Sequence, residues 1–282
     1  VVRKNVFPWS DAVHLFQVGA GSGGMVVLDL VMRDPRITKI TLIEPDTYEE
    51  HNIHRHFFPQ DDVGARKANL AARWIEKRRP DIKIALIMDS LMSKIFRKPI
   101  EQAANECDIG VCAVDNEPAK YHFDSLMRKF AKPWTLGEVL SGGIGGWIHR
   151  FTPNGACYGC VASHLQREIK TDNTPPPDYA NPGAQVQETT IPATKASIDA
   201  IASLHALMTL GMLDAPVADG DFSSLLLTLK RVEGVFDEPF RTYRFRIARN
   251  PECLICKPVS DAPSSEDLDV ALDQALARLG DQ

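Results

Sequence analysis

An apolar run, Val13–Val18, ends directly in Gly19-Ala-Gly21-Ser-Gly-Gly24, and a second apolar stretch, Met25–Met32, follows without a break. A strand that turns through glycines into a helix has few architectural outlets. The glycines let the backbone turn tightly and approach a phosphate. The first turn of the helix offers free N–H groups and positive potential to an anion. Residues 37–44 (ITKITLIE) read as a second strand, β-branched and bounded by charge. Strand, glycine turn, helix, strand is the opening of a parallel α/β sheet. Glu44 lies about 20 residues beyond the last glycine, where an acidic side chain binds ribose hydroxyls. The motif alone does not separate a dinucleotide from ATP.

The pattern continues with a helix over 64–78, carrying Ala68, Leu70, Ala71, Trp74 and Ile75 at three- and four-residue spacing. A strand at 82–88, a short helix at 99–106 and a buried strand at 107–114, ending at Asp115, come next. A helix from Pro118 to Phe130 follows, then two strands within 134–151 joined by Ser141-Gly-Gly-Ile-Gly-Gly146. Pro175, Pro176, Pro177, Pro182 and Pro192 mark a long exposed loop over 171–192. A helix of about 20 residues follows. Two strand-like runs come after it, 224–230 and 241–247; in the second, Tyr243, Phe245 and Ile247 alternate with Arg244 and Arg246 as in a half-buried antiparallel strand. The expected fold is therefore α/β: a Rossmann-like, mostly parallel sheet with flanking helices, continued by antiparallel strands and a four-cysteine zinc site. The predicted division is a nucleotide-binding core at 1–166, a crossover loop at 167–192, a C-terminal helix and strands at 193–258, and an acidic helical tail at 259–282. The leucines of that tail suit packing onto the body, and its charge suits an interaction arm.

With 282 residues, 44% of them hydrophobic, the chain can bury a large core. A net charge of -5 and a pI near 5.9 argue against a dedicated nucleic-acid binder, which needs a basic surface. The longest apolar stretch, Ala193–Leu213, contains Lys195, Asp199 and His205, making it a poor membrane span and a good core helix. No signal segment opens the sequence, and residue 1 is Val, which suggests a trimmed chain. Of six cysteines, four form the pairs Cys157-x-x-Cys160 and Cys253-x-x-Cys256, while Cys107 and Cys112 lie in an apolar strand and read as core. Each pair places two thiolates on one ion through a tight turn, and two pairs complete a closed tetrahedral zinc site. Thiolates kept for a metal imply a reducing, cytoplasmic setting.

Between the second strand and the following helix come Asp46, Asn52, Arg55 and Lys67, on the side of the glycine turn. Fixed cations and donors there suit a triphosphate better than the two-phosphate bridge of a dinucleotide. Asp115 ends a buried strand at the sheet's carboxyl edge, where a carboxylate serves as a magnesium ligand beside a triphosphate. The plainer role for Asp115 is a helix N-cap.

Taken in order, Gly19-x-Gly21-x-x-Gly24, Glu44-x-Asp46, Asn52-x-x-Arg55, Val63-Gly64-x-x-Lys67, Val114-Asp115-Asn116 and the two cysteine pairs resemble the adenylation domain of ubiquitin-activating enzymes. The resemblance extends to their bacterial relatives, the ThiF/MoeB-type adenylyltransferases, and covers about Val13 to Cys256. It implies ATP and magnesium, with Glu44 or Asp46 on the ribose, Asn52, Arg55 and Lys67 on the phosphates, Asp115 on magnesium, and a structural zinc on the four cysteines. The implied reaction is adenylation of the C-terminal glycine of a ubiquitin-like or sulfur-carrier protein. A homodimer and a downstream conjugating or sulfur-transfer partner are implied with it.

The sequence departs from the family pattern in several places. Glu44 stands for the usual aspartate, His56 for a glutamine, and Lys120 for an arginine. The N-terminal arginine that reaches a partner's ATP has no clear counterpart, Arg3 being a poor one. The 171–192 loop holds Thr189 and Thr190 but no cysteine for a thioester. Ser141–Gly146 suits either a site beside the carrier's extended tail or a plain flexible connection. The rival readings are adenylation of a small molecule or tRNA base, an NAD-dependent oxidoreductase, and a non-catalytic scaffold for an active subunit.

Overall fold

The computed structural model describes residues 12–165, 193–215, 217 and 221–256. The crossover loop with Thr189 and Thr190, Arg3 and the acidic tail therefore lie outside the described residues. The chain runs β1 (Val13–Val18), α1 (Ser22–Val31), β2 (Ile37–Ile43), α2 (Lys67–Glu76), β3 (Lys83–Ile87), α3 (Arg97–Glu106), β4 (Ile109–Cys112), α4 (Glu117–Lys129), β5 (Trp134–Val139), β6 (Gly145–Phe151), α5 (Tyr158–His164), α6 (Lys195–Asp214), β7 (Ser224–Thr228) and β8 (Thr242–Phe245). All eight strands join one sheet in the order β3-β2-β1-β4-β5-β6-β7-β8. The first five pair in parallel and β5 to β8 pair antiparallel.

Every residue of β1 is buried. That is what a central parallel strand covered on both faces requires. Its side chains divide between two cores. Val13 and Leu15 join the helices α1, α2 and α6 on one face, while Phe16 and Val18 join α3 and α4 on the other. Phe16 stacks on Phe123 there, and Trp134 stacks on Phe151 at 3.9 Å. The strand order reverses between β1 and β4, so the crevice at the carboxyl ends of these two strands is where an open α/β sheet accepts a ligand.

Helix α1 begins at Ser22, three residues earlier than the apolar pattern suggested, so half of the glycine motif is itself the helix N-terminus. The strand before Asp115 is shorter than predicted, because Cys107 ends α3 and only Ile109–Cys112 pair. Cys107 and Cys112 are both buried, in keeping with core roles. Helix α6 is, among the described residues, the one long and apolar enough to cross a membrane, and half of it is buried. It packs on α1, β5 and β6 as a core helix. The short helix α5 was not foreseen. It starts inside the first cysteine pair, with the Cys157 sulfur accepting the Cys160 N–H.

Candidate functional site

The three motif glycines divide between two jobs. Gly19 has φ +94°, and a Cβ there would sit 2.3 Å from the Ala113 carbonyl oxygen. A Cβ on Gly24 would sit 2.4 Å from the Gly19 carbonyl oxygen. These two let strand, turn and helix pack closely. A Cβ on Gly21 would meet nothing within 4 Å. Gly21 is the N-cap of α1 and faces open space, so the N–H groups of the helix's first turn remain available to an anion.

The turn is braced from beneath. Gln17 Nε2 donates to the Gly19 and Gly24 carbonyls at 2.9 and 2.8 Å. His56 Nε2 donates to the Ala20 carbonyl at 3.1 Å while its Nδ1 accepts the Phe57 N–H at 2.9 Å. Burial pushes the His56 pKa down to about 4, so the imidazole is neutral and its tautomer is fixed by these two bonds. The Glu44 carboxylate accepts the backbone N–H of Ala20 at 2.5 Å and of Asp46 at 2.8 Å. Its first role is therefore to tie the end of β2 to the glycine turn, and its remaining lone pairs face the cleft. Burial raises the Glu44 pKa, and the two N–H bonds oppose that rise.

A cleft of about 1240 Å³ opens over this turn. Gly19, Gly21, Gly24, Glu44, Asp46, Asn52, Arg55, Lys67 and Asp115 all line it, so every nucleotide-site residue expected from the sequence reaches one cavity. The path that brings them there is local. The turn at Gly64 (φ +90°) directs the chain into α2, and the Lys67 N–H donates to the Asp46 carbonyl at 3.0 Å. Lys67 is thereby the first residue of α2, buried, with its Nζ 3.0 Å from the Asp46 carboxylate. Asn52 Oδ1 accepts the Glu49 N–H at 3.0 Å, closing a capping box around a single 3₁₀ turn and leaving its amide nitrogen as the donor for a ligand. The Arg55 guanidinium, half-buried at the cleft, has no hydrogen-bond or ion-pair partner among the described residues.

Asp115 is exposed and lies just past β4. The N-cap role that competed for it belongs instead to Asn116, whose side chain accepts the Ala119 N–H at 2.9 Å. Ser90, Leu91, Met92, Glu138 and His205 also line the cavity, and no motif marks them, because they come from distant elements. Burial holds His205 neutral, with its pKa pushed down to about 3. The glycines of 141–146 owe their size to this chain's own packing. A Cβ on Gly143 would meet Ser197, on Gly145 the Leu227 carbonyl, and on Gly146 Ile201, all at 2.5–2.7 Å. Their smallness is therefore not evidence for an incoming peptide, nor is the connection a loose one.

Beyond α4, the sulfurs of Cys157, Cys160, Cys253 and Cys256 lie within 4.8 Å of one another, and all four residues are buried. Neighbouring sulfurs are 3.5–3.6 Å apart. Four thiolates at zinc–sulfur distance stand about 3.8 Å apart in a tetrahedron, so the set closes around zinc with little movement. The Asn250 N–H donates to the Cys160 sulfur at 3.4 Å, which favours the thiolate form a metal needs. Burial raises the Cys157 and Cys160 thiols, whereas Cys253 is lowered, the N–H groups of Ile255 and Cys256 and the Cys157 and Cys160 sulfurs outweighing burial.

An open sheet with its glycine turn at the switch point, a charged cleft above it and a separate four-thiol knuckle define an α/β nucleotide-binding enzyme of the E1-like adenylyltransferase class. The ThiF family pattern matches residues 10–255, and the chain belongs to the ThiF family. It is 25% identical over 262 residues to the SAMP-activating enzyme E1 of Haloferax volcanii, a match covering 92% of this chain and 86% of that protein. It is 28% identical over 154 residues to ubiquitin-like modifier-activating enzyme 5 of Aedes aegypti, covering 51% of this chain and 38% of that protein. Among solved structures, E. coli MccB with ATP shares the fold at a TM-score of 0.61 and 18% identity, over 86% of this chain and 66% of MccB. MccB in complex with N-formylated MccA does so at 0.65 and 17%, over 87% and 68%.

Proposed function

We propose that the protein adenylates the C-terminal glycine carboxylate of a ubiquitin-like or sulfur-carrier protein, using ATP and magnesium. The observation that carries this reading is the arrival of the open Gly21 face, an unpartnered Arg55, Lys67 and Asp115 at one cleft. The carboxylate oxygen attacks the α-phosphorus, the bond to pyrophosphate breaks, and an acyl-adenylate remains. The nucleophile is already ionised at neutral pH, so no general base is needed. An anion approaching a polyphosphate is repelled, so catalysis consists of positioning and charge compensation.

The N–H groups after Gly21 receive phosphate oxygens. Arg55, Lys67 and the Asn52 amide donate to the triphosphate, and Glu44 and Asp46 accept from the ribose. Asp115 holds magnesium, which when bound neutralises phosphate charge and orients the leaving pyrophosphate. The four-thiol knuckle holds zinc and joins the segment before the crossover to the Cys253–Cys256 segment, with no part in the chemistry. The substrate class rests on the likeness to activating enzymes of ubiquitin-like modifiers. A homodimer and a reducing, cytoplasmic setting accompany this reading.

The test is ATP–pyrophosphate exchange stimulated by small proteins ending in Gly-Gly that co-purify with the chain. Wild type is expected to exchange with one of them, and Asp115→Ala to abolish exchange while thermal unfolding stays unchanged. Exchange at wild-type rate in Asp115→Ala removes that residue from the mechanism. Binding of NADH in place of ATP, read by fluorescence, removes the reaction itself.

A further inference from the structure

Asp115 has no side-chain partner among the described residues, so its direction depends on how the backbone of residues 115–117 is held. Glu117, the first residue of α4, supplies that hold. One of its carboxylate oxygens accepts from Lys120 Nζ at 2.8 Å and the other from the Tyr158 hydroxyl at 2.7 Å. Lys120 Nζ also donates to Glu138 Oε1 on β5 at 2.7 Å. The second Glu138 oxygen meets His149 Nε2 on β6 at 3.3 Å, and His149 Nδ1 meets the Ser224 hydroxyl on β7 at 2.8 Å. Tyr158 follows the zinc ligand Cys157 directly, is fully buried, and donates its own N–H to Asp124 at 3.1 Å. The first turn of α4 is thus tied to the sheet by Lys120 and to the cysteine knuckle by Tyr158.

Resting on the magnesium role assigned to Asp115, we propose that Tyr158 and Lys120 are positioning residues. They hold the Asp115 turn in the shape that a magnesium–nucleotide complex requires, and so join the zinc knuckle to the cleft. Lys120 has a second effect. Asp115, Glu117 and Glu138 put three carboxylates on one wall of the cleft. Lys120 occupies the inner two and leaves Asp115 alone to take the cation. Burial acts to lower the Lys120 pKa, but Glu138 and Glu117 outweigh it and the ammonium stays charged. Tyr158 is not among the residues that line the cleft, so its effect reaches a nucleotide through the Glu117 turn, while Lys120, which does line it, is engaged by Glu117 and Glu138.

Calorimetric binding of ATP to the zinc-loaded full chain, with and without added magnesium, tests this. Tyr158→Phe and Lys120→Met are each expected to weaken binding of magnesium–ATP roughly three- to tenfold, within the range for coupling through a contact network. Binding of magnesium-free ATP should stay as in wild type. Lys120→Arg, which keeps the charge and both carboxylate contacts, should restore the magnesium dependence, and zinc content should remain one per chain throughout. Equal loss of both nucleotide forms, or no loss of either, overturns the proposal, because a merely structural contact has no reason to sense magnesium. If Lys120→Met does not fold, Tyr158→Phe, which removes one oxygen atom, decides alone. Asp115→Ala separates the two levels. If it loses the magnesium-dependent share and Tyr158→Phe does not, only the positioning role falls. If Asp115→Ala keeps that share, the magnesium assignment falls as well.

Discussion

The cleft and the cysteine knuckle both meet α4, at Asp115 before its start and through Tyr158 on Glu117 and Asp124, but they are built on opposite terms. At the knuckle every ligand atom is buried, the sulfurs are already near tetrahedral spacing, and backbone N–H groups support them. At the cleft, Gly21 faces empty space, and Arg55 and Asp115 have no side-chain partners among the described residues. A site that closes on one small ion can be satisfied within the fold. A site that must admit a triphosphate and then a second anion has to keep donors and charges unspent. Stability is thus concentrated at the knuckle and binding capacity at the cleft.

The largest effect expected from this contrast is at the knuckle. Removing zinc by chelation, or changing Cys253→Ser, should cost on the order of 10 kcal/mol, the scale of a structural zinc site. Calorimetric unfolding of the chelated protein would show loss of the cooperative transition, and elemental analysis should give one zinc per folded chain. A stable, metal-free fold would erase the distinction between the two sites.

Within the cleft, the motif glycines divide the same way. Gly24→Ala places a Cβ 2.4 Å from the Gly19 carbonyl oxygen. It should destabilise the chain by about 3 kcal/mol, as overpacking against backbone does. Gly21→Ala meets no atom and should change stability by no more than about 1 kcal/mol, the difference between glycine and alanine at an N-cap. It should nevertheless weaken ATP binding roughly tenfold or more, equivalent to about 1.4 kcal/mol, because the methyl fills the space a phosphate would use. Urea unfolding and nucleotide titration of the pair separate these outcomes.

A further contrast concerns pH. His56 has its pKa lowered to about 4 in the folded chain, against 6.5 for the free side chain. Between these values the unfolded chain binds the extra proton, so its contribution to stability is complete above pH 6.5 and falls as the pH drops toward 4. The loss from this group should be on the order of 2 kcal/mol by pH 4.5. His56→Gln, which keeps a donor for the Ala20 carbonyl but does not titrate, should flatten that part of the profile. Identical profiles for the two proteins would mean that His56 does not brace the turn.

Much of this molecule was readable in advance, and the reason differs from part to part. The glycine motif, β1, β2 and α4 were legible because their patterns are local: a run buried on both faces, a β-branched run, a proline at a helix start. The cysteine pairs were legible because three-residue spacing is a chemical constraint on metal binding. The start of α1 was misplaced because glycine and serine carry no apolar signal, although Gly21 caps the helix. Helix α5 was missed because it is one short element capped by a cysteine sulfur.

Residue order alone specifies which chemical groups the protein possesses and, through strand–turn–helix succession, that a cleft forms at the sheet's carboxyl edge. How those groups are shared is set by three-dimensional packing. It gave Glu44 to the glycine turn, the α4 cap to Asn116 rather than Asp115, the 141–146 glycines to α6 and β7, and Lys120 to two carboxylates from separate elements. The physical reason is that a hydrogen-bonding group names its possible partners by type, while burial and distance choose among them, and those are set by residues far apart in the chain.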